Sequence, residues 1–381
     1  MVWIRNQRKV IWILLALVLC LCSGCSKSSS REQTTDGQLV FDHSMKLQYA
    51  MQFGVDYYQD GYKVITLSTG EKFLVVPEGK EVPVTEEKMT VIRQPLQNIY
   101  MVSSSQMDLL LAIDGLSSVK MTGTKENDWY IDEIKTSMQN GDVIYAGKYS
   151  APDYEMILAN GCDLAVENTM IYHKPEVKEK IEELGIPVIV EQSSTEAHPL
   201  GRVEWIKLYG VLLDKEDEAE AFFEKEISDL NNMIGNEKSE DKGATVGYFY
   251  VNSRGVVNVR KSGDYIAKMI EMAGGTYLFD NLTDENALST MNIQMEEFIE
   301  KATDADYLIY NSSIDGNVYT IEELLGKCPE LKDSKAVKEG NVWCTEKNMF
   351  QETTGISKMI LEFYYMMTGE DYDFKYMYKL K

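Results

Sequence analysis

Residues 214–235, DKEDEAEAFFEKEISDLNNMIG, decide how the rest of the chain is read. Asp214 takes the place of an N-cap, and Glu216, Asp217 and Glu218 give the first turn the negative charge that the positive end of a helix dipole favours. Apolar side chains recur at Ala219, Phe222, Phe223, Ile227, Leu230 and Ile234, which is a helical period, and Gly235 stands where a C-cap glycine is expected. Twenty-odd residues at a rise of 1.5 Å span about 30 Å. An ordinary surface helix of one domain would not have the same grammar of strand, helix, strand on both sides. Here it does, and the stretch reads as a spine joining two lobes.

Outward toward the N-terminus, residues 93–213 form the first block. NIYMV begins a short buried strand at Asn98, Ser103, Ser104 and Ser105 offer helix caps, and QMDLLLAIDGL is a helix that Gly115 ends. A strand over 118–122 follows, then the polar loop TGTKENDWYIDE with Trp129 and Tyr130. DVIYAGKYSAPDYEMILANGCDLAVENT gives strand, loop, helix and strand, VKEKIEELGIPVIV helix and strand, and HPLGRVEWIKLYGVLL the helix before the spine. Toward the C-terminus, residues 243–381 repeat the scheme. ATVGYFYV is a strand, Tyr265 to Ala273 a helix ending in Gly274-Gly275, NVWCT a strand, and Gly355 to Thr368 a closing helix. MEEFIEKATDADYLIY runs from helix into strand much as DYEMILANGCDLAVE does in the first block. Strands alternating with helices predict parallel pairing and right-handed crossovers. The fold class is therefore α/β, with two lobes of mainly parallel sheet and one long bridging helix. Residues 42–92 stand apart. MQFGVDYYQDGYKVITLSTGEKFLVVPEG alternates apolar and polar residues between turn signals, a β-rich extension of two or three antiparallel strands. They would either continue the first lobe's sheet or pack across its edge.

Residues 1–24 read as an export signal. Arg5, Arg8 and Lys9 precede the apolar run Val10 to Leu21, which is too short to cross a bilayer comfortably. The run ends in LCSGC, which is similar to a bacterial lipobox with Cys22 in place of the usual leucine. Cys25 is then the lipidated first residue, and two acyl chains suffice to hold a protein on a membrane surface. Residues 25–41, with the polar SKSSSREQTTDG, are a flexible tether. The signal holds three of the 38 basic residues and none of the 61 acids, leaving 35 bases against 61 acids, a net of −26. Such a chain repels phosphate backbones, which excludes nucleic acid. Past Cys25 the cysteines are Cys162, Cys328 and Cys344, neither a disulfide framework nor a zinc pattern; Cys328 and Cys344 could pair within the second lobe.

The segments NIYMVSSSQMDLLLAIDGL, GKYSAPDYEMILANGCDLAVE, ELGIPVIVE, YGVLLDKEDEAEAFFEKE, MIEMAGGTYLF and MEEFIEKATDADYLIY, in that order, resemble the iron-complex and vitamin B12 class of solute-binding proteins that serve ABC importers. The resemblance runs from about Asn98 to Thr345. It departs at Cys162-Asp163 and Ala305-Asp306, where family members often carry proline before the aspartate, and the extension lies outside it. It implies a ligand held between two lobes and delivered to a permease with its ATPase. It also implies docking through one acidic residue per lobe, Glu155 in the first and Glu296 or Glu297 in the second.

The chemistry of the loops agrees with binding rather than turnover. No GxSxG, HExxH, P-loop or GxGxxG occurs, and the histidines are only His43, His173 and His198. An exported enzyme on this scaffold, an adhesion or sensor module, and a receptor for a free metal ion using His173, His198, Glu167 or Glu191 are the alternatives; a metal receptor normally supplies more imidazole. Loops at strand ends present Trp129, Tyr130, Lys148, Tyr149, Met170, Tyr172, His173 and Trp343, and aromatic and methionine surfaces suit a siderophore's aryl rings, a corrin or a porphyrin. Mature arginines number five, and Arg202, Arg254 and Arg260 follow strand ends where they can clamp carboxylates or catecholates. The expectation is a monomeric, non-catalytic receptor for a metal chelate, without a cofactor of its own.

Overall fold

The spine forms from Glu216 to Ile234, with Ala219, Phe223 and Leu230 buried and Phe222 and Ile227 packed at their margin. The computed structural model describes residues 39–234, 243–282 and 290–381. Cys25, with the leader and most of the tether, and Gly235 lie outside these. Asp214 does not cap the spine. It adopts the left-handed conformation (φ 57°) that ends the preceding helix, Ile206–Leu213. The two helices turn on Gly210, where a Cβ would lie 2.8 Å from that of Ala219 and 3.0 Å from the Lys215 carbonyl oxygen. That close approach forces a sharp reversal, and Asp214 absorbs it.

The extension builds its own sheet. Strands β1 (Phe41–Ser44), β2 (Phe53–Tyr58), β3 (Lys63–Leu67), β4 (Lys72–Val76) and β5 (Thr90–Arg93) lie in sequence order, antiparallel except for the parallel pair β4/β5. It neither continues the first lobe's sheet nor stops at three strands. Alternation specified strands but not which sheet they join. Lys63, buried, anchors this sheet to the start of the spine through Asp214 and Glu216.

The first lobe contains β6 (Ile99–Met101), β7 (Val119–Thr122), β8 (Ile144–Tyr145), a short hairpin of β9 (Gly147–Lys148) and β10 (Ala151–Pro152), β11 (Leu164–Glu167) and β12 (Val188–Val190). Its main sheet has the order β12-β11-β6-β7-β8, every pair parallel. Helices cover both faces, so β11 and β12 are buried throughout, as their unbroken apolar runs require.

The second lobe contains β13 (Thr245–Val251), β14 (Val257–Arg260), β15 (Thr276–Tyr277), β16 (Thr290–Ile293), β17 (Tyr307–Tyr310), β18 (Val342–Thr345) and β19 (Met377–Lys379), in the order β16-β14-β13-β17-β18-β19 with β15 also on β13. Only its middle is parallel. The pairs β13/β14, β14/β16 and β18/β19 are antiparallel, the first because a tight turn at Asn252–Val256 returns the chain without a crossover helix. The closing helix, Ile356–Thr368, packs on the spine from this lobe, as Ile206–Leu213 does from the other. The spine is gripped at both lobes. Cys328 and Cys344 are buried and unpaired.

Candidate ligand cleft

The segments that follow the strand ends of the two lobes meet along one seam. At its centre Thr353 donates its hydroxyl to the Ser105 carbonyl (2.8 Å), and the Asp108 carboxylate accepts the Thr354 N–H (2.7 Å). At one edge the Gln351 amide accepts from the Tyr130 N–H and donates to the Asp128 carbonyl, both at 2.8 Å. At the other edge the Arg202 guanidinium lies 4.1 Å from the Tyr265 ring centre. This edge carries the two arginines, Arg202 and Arg260.

Arg202 sits on the short helix Pro199–Glu204 of the first lobe, and its Nη1 donates to the Ser193 carbonyl (3.2 Å) while its Nε is buried without a partner. Across the seam Arg260, at the end of β14, lies 6.0 Å from the same Tyr265 ring, 5.7 Å from Tyr248 and 5.9 Å from Phe350. Asp264 is its counter-ion at 3.4 Å, and the other Asp264 oxygen caps the helix Tyr265–Met272 through the Ile266 N–H. Two guanidiniums thus flank one phenol, and Asp264 pairs with Arg260, in a half-buried, aromatic-walled setting where a charge interacts more strongly than in water.

The first lobe's floor is polar and connected. Buried Glu191 accepts from the Ser103 hydroxyl and the Ser193 N–H (both 2.8 Å), and the Gln106 amide donates to the Ser193 hydroxyl (2.7 Å). Ser103 therefore does not cap its helix with its side chain. A buried carboxylate needs donors, and Ser103 supplies one. Gln192 donates to the Tyr172 hydroxyl (2.7 Å), tying the exposed turn Thr169–His173 to the end of β12. Met170 and Tyr172 are each 47% exposed on that turn, His173 is exposed beside them, and Lys148 and Tyr149 stand on the hairpin beyond β8.

Other expected site residues are elsewhere. Trp129 is fully buried, its indole N–H donating to the Thr124 carbonyl, and Trp343 is buried on β18 against Phe374. Both are core side chains: Trp343 lies within strand β18 itself, and the Trp129 indole is enclosed by the turn that bears it. Tyr130, 40% exposed, stands at the far edge of the seam between Lys135 and Lys347. Arg254 is exposed in the β13–β14 turn, apart from Arg260. His198 caps the Pro199–Glu204 helix and stacks on Tyr49, and burial lowers its pKa. Among the described residues no three metal-ligating side chains converge. A cavity of about 700 Å³ opens between the extension and the first lobe, but its lysine, Lys63, is neutralised by Asp214 and Glu216. Tyr265, Asp264, Phe350 and Gln192 escaped the sequence reading; a tyrosine one position after a helix-capping aspartate, four residues beyond an arginine, was the available signal. Glu155 and the pair Glu296 and Glu297 are exposed in the first turns of the helices Tyr154–Ala159 and Met295–Ala302.

Residues 99–348 match the sequence model of a family described as periplasmic binding protein. An uncharacterized lipoprotein of Methanocaldococcus jannaschii is 31% identical over 378 residues, covering 90% of this chain and 87% of that one. A periplasmic binding protein of Veillonella parvula superposes with a TM-score of 0.61 at 15% identity, covering 88% of this chain and 100% of that one. The periplasmic heme-binding protein HutB of Vibrio cholerae superposes with a TM-score of 0.58 at 15% identity, covering 71% and 100%. At such identities the structural likeness speaks for the fold alone.

Proposed function

Because the chain belongs to the periplasmic binding protein family, we propose that it is the capture component of an ABC importer, taking a metal chelate into the cleft between its lobes. The chelate is siderophore iron, haem or cobalamin, and its release is to a permease driven by an ATPase. The observation that carries this reading is the pair of guanidiniums contributed by opposite lobes to one tyrosine ring. A ligand with anionic oxygens on a broad, flat body would satisfy Arg202 and Arg260 together and lie against Met170, Tyr172 and Tyr149. HutB, which shares the fold, is a heme-binding protein. The receptor is non-catalytic and monomeric, with Cys25 as its lipid anchor on the outer face of the membrane. Glu155 and Glu296 or Glu297 dock the lobes on the permease. A first-turn carboxylate also stabilises its own helix, so docking must be read from transport, not stability.

The test is to purify the chain from cells grown with iron and cobalt, and record the absorption spectrum and metal content of what accompanies it. Haemin, a ferric catecholate and cyanocobalamin are then titrated by tryptophan quenching. One of the three should bind, and Arg260→Ala should weaken it by about 1.5–3 kcal/mol, the scale of a hydrogen bond to a charged group. Binding of none of them, or wild-type affinity in Arg260→Ala, would sink this assignment.

A further inference from the structure

Between β1 and β2 an open segment runs past the helix Pro199–Glu204, and the N–H groups of residues 48–52 have no backbone partner there. Its donors are nevertheless satisfied. The N–H groups of Gln48, Tyr49 and Ala50 point to the Glu204 carboxylate at 2.7–3.1 Å, and those of Met51 and Gln52 to the Glu196 carboxylate at 3.0–3.1 Å. Five consecutive amides thus converge on two side chains, both essentially buried. Charge-assisted bonds of this kind are about twice as strong as neutral ones, and either carboxylate left unbonded in the interior would be costly.

These carboxylates lie on either side of Arg202. Glu196 precedes and Glu204 ends the helix Pro199–Glu204 that carries it. Between them Gly201 has no room for a side chain, since a Cβ there would stand 3.0 Å from the Tyr49 carbonyl oxygen and 3.2 Å from its carbon. Tyr49 stacks on His198 at the helix start, and the Trp205 indole N–H donates to Glu196 (2.9 Å) while Phe53 packs edge-on to that indole. The same helix packs in the other direction against Tyr265–Met272 of the second lobe, where Arg202 meets Tyr265. The segment therefore grips the back of a short helix whose front reaches the ligand seam. The helix continues through Trp205 into Ile206–Leu213, which holds its C-terminal end, and the segment 48–52 holds its back.

We propose that residues 48–52 form a strap that fixes the orientation of Arg202 in the cleft, making Glu196, Gly201 and Glu204 positioning residues for ligand capture. The proposal rests on the ligand role of Arg202 given above, but its test needs no ligand, so the two can fail separately. The extension is on this view part of the binding apparatus. Loss of the strap leaves the lobe cores intact and lets the Arg202 helix drift away from Tyr265.

Amide hydrogen exchange of the full chain in detergent reads this directly. In Gly201→Val and in Glu196→Gln, exchange should rise by about tenfold or more over 48–52 and 199–206, and also over Tyr265–Met272 in the opposite lobe, while β17 and β18 stay at wild-type rates. In an Arg202→Ala background the rise over Tyr265–Met272 should vanish, because the coupling runs through that side chain. Lys63→Met, which loosens the extension away from the strap, should leave Tyr265–Met272 unchanged. If Gly201→Val unfolds globally, Glu196→Gln, which preserves volume, carries the test. A rise confined to the first lobe, one that persists without Arg202, or one that Lys63→Met reproduces overturns the proposal.

Discussion

An aspartate, four strand residues and an asparagine stand at matching places in each lobe, in DLAVENTM at 163–170 and DYLIYNSS at 306–313, and the two are built alike up to the turn after the strand. In each, the aspartate staples the start of the neighbouring parallel strand. Asp163 accepts the N–H groups of Gln97 and Asn98 at 2.7 and 2.9 Å, and Asp306 accepts the Thr245 N–H and hydroxyl, both at 2.8 Å. In each, the asparagine caps the turn after the strand, Asn168 accepting from Met170 N and Asn311 from Ser313 N, both at 3.0 Å. Beyond that they part. Ser312 is buried and bonds to Thr345 at the end of β18, which locks its turn, whereas Thr169 meets Ser194 in the open at 3.3 Å and its turn exposes Met170 and Tyr172. The strand ends differ too, with buried Glu167 in one lobe and Tyr310 in the other. Scaffold chemistry is duplicated. The turn that follows the strand is not, and the first lobe's version leaves Met170 and Tyr172 exposed.

The sharpest test of that asymmetry is Glu167, fully buried with neither carboxyl oxygen partnered. Burial raises its pKa from 4.5 to about 8. The folded value exceeds the unfolded one, so the stability linked to its proton is complete below pH 4.5 and is lost as pH rises through 8. Glu167→Gln has no such loss. Its stability relative to wild type, from urea midpoints, should climb by on the order of 4 kcal/mol between pH 4.5 and 9. A flat difference would mean that Glu167 finds a cation in solution.

A smaller effect separates the staples. Asp306 also binds Lys335 at 2.5 Å, while Asp163 Oδ1 is buried with no partner. Burial pushes both upward, but at Asp306 the bonds from Lys335 and Thr245 outweigh it and its pKa is lowered, whereas at Asp163 burial prevails. Asp306→Ala should cost about 2–3 kcal/mol near pH 7, and this contribution should fade as pH falls below 3.8 through the depressed value. Asp163→Asn, which keeps an acceptor for both N–H groups, should cost less than about 1 kcal/mol. Equal losses at the two sites would erase the distinction. The least effect belongs to the shared asparagines. Asn168→Ala and Asn311→Ala should each lower stability by about 1 kcal/mol, the usual worth of such a cap, and a marked inequality in thermal melts would show that burial, not capping, dominates at Asn311.

The spine, the alternating elements and the helix-into-strand unit repeated in both lobes were legible because they depend on periodicity and on local turn chemistry. Asp214 was misread because its conformation is set by Gly210 meeting Ala219, a contact between two helices that neither helix's own pattern reveals. The second lobe's antiparallel β13/β14 pair was hidden because SRGV is a turn whose closure depends on the pairing of its neighbours. At the cleft, nearness to a strand end nominated Trp129 and Trp343, yet an indole there is as readily drawn into the core, as Trp343 is within β18 itself. Arg202 and Arg260 were visible as scarce cations in an acidic chain. Their shared partner Tyr265 was not, since it comes from the opposite lobe to Arg202 and needs three dimensions to be seen.

The unpaired thiols leave a practical legacy. Burial raises Cys162 and Cys328 to about 12 and lifts Cys344 as well, so at neutral pH almost none of the sulfur is in the reactive, deprotonated form. Folding of the described residues needs no oxidant to complete it. Each lobe also carries its own silent reporter, Cys162 in the first and Cys328 with Cys344 in the second. The rate at which a maleimide dye finds them, followed by peptide mapping, times the transient openings of the two halves separately in the native chain, with no label engineered in.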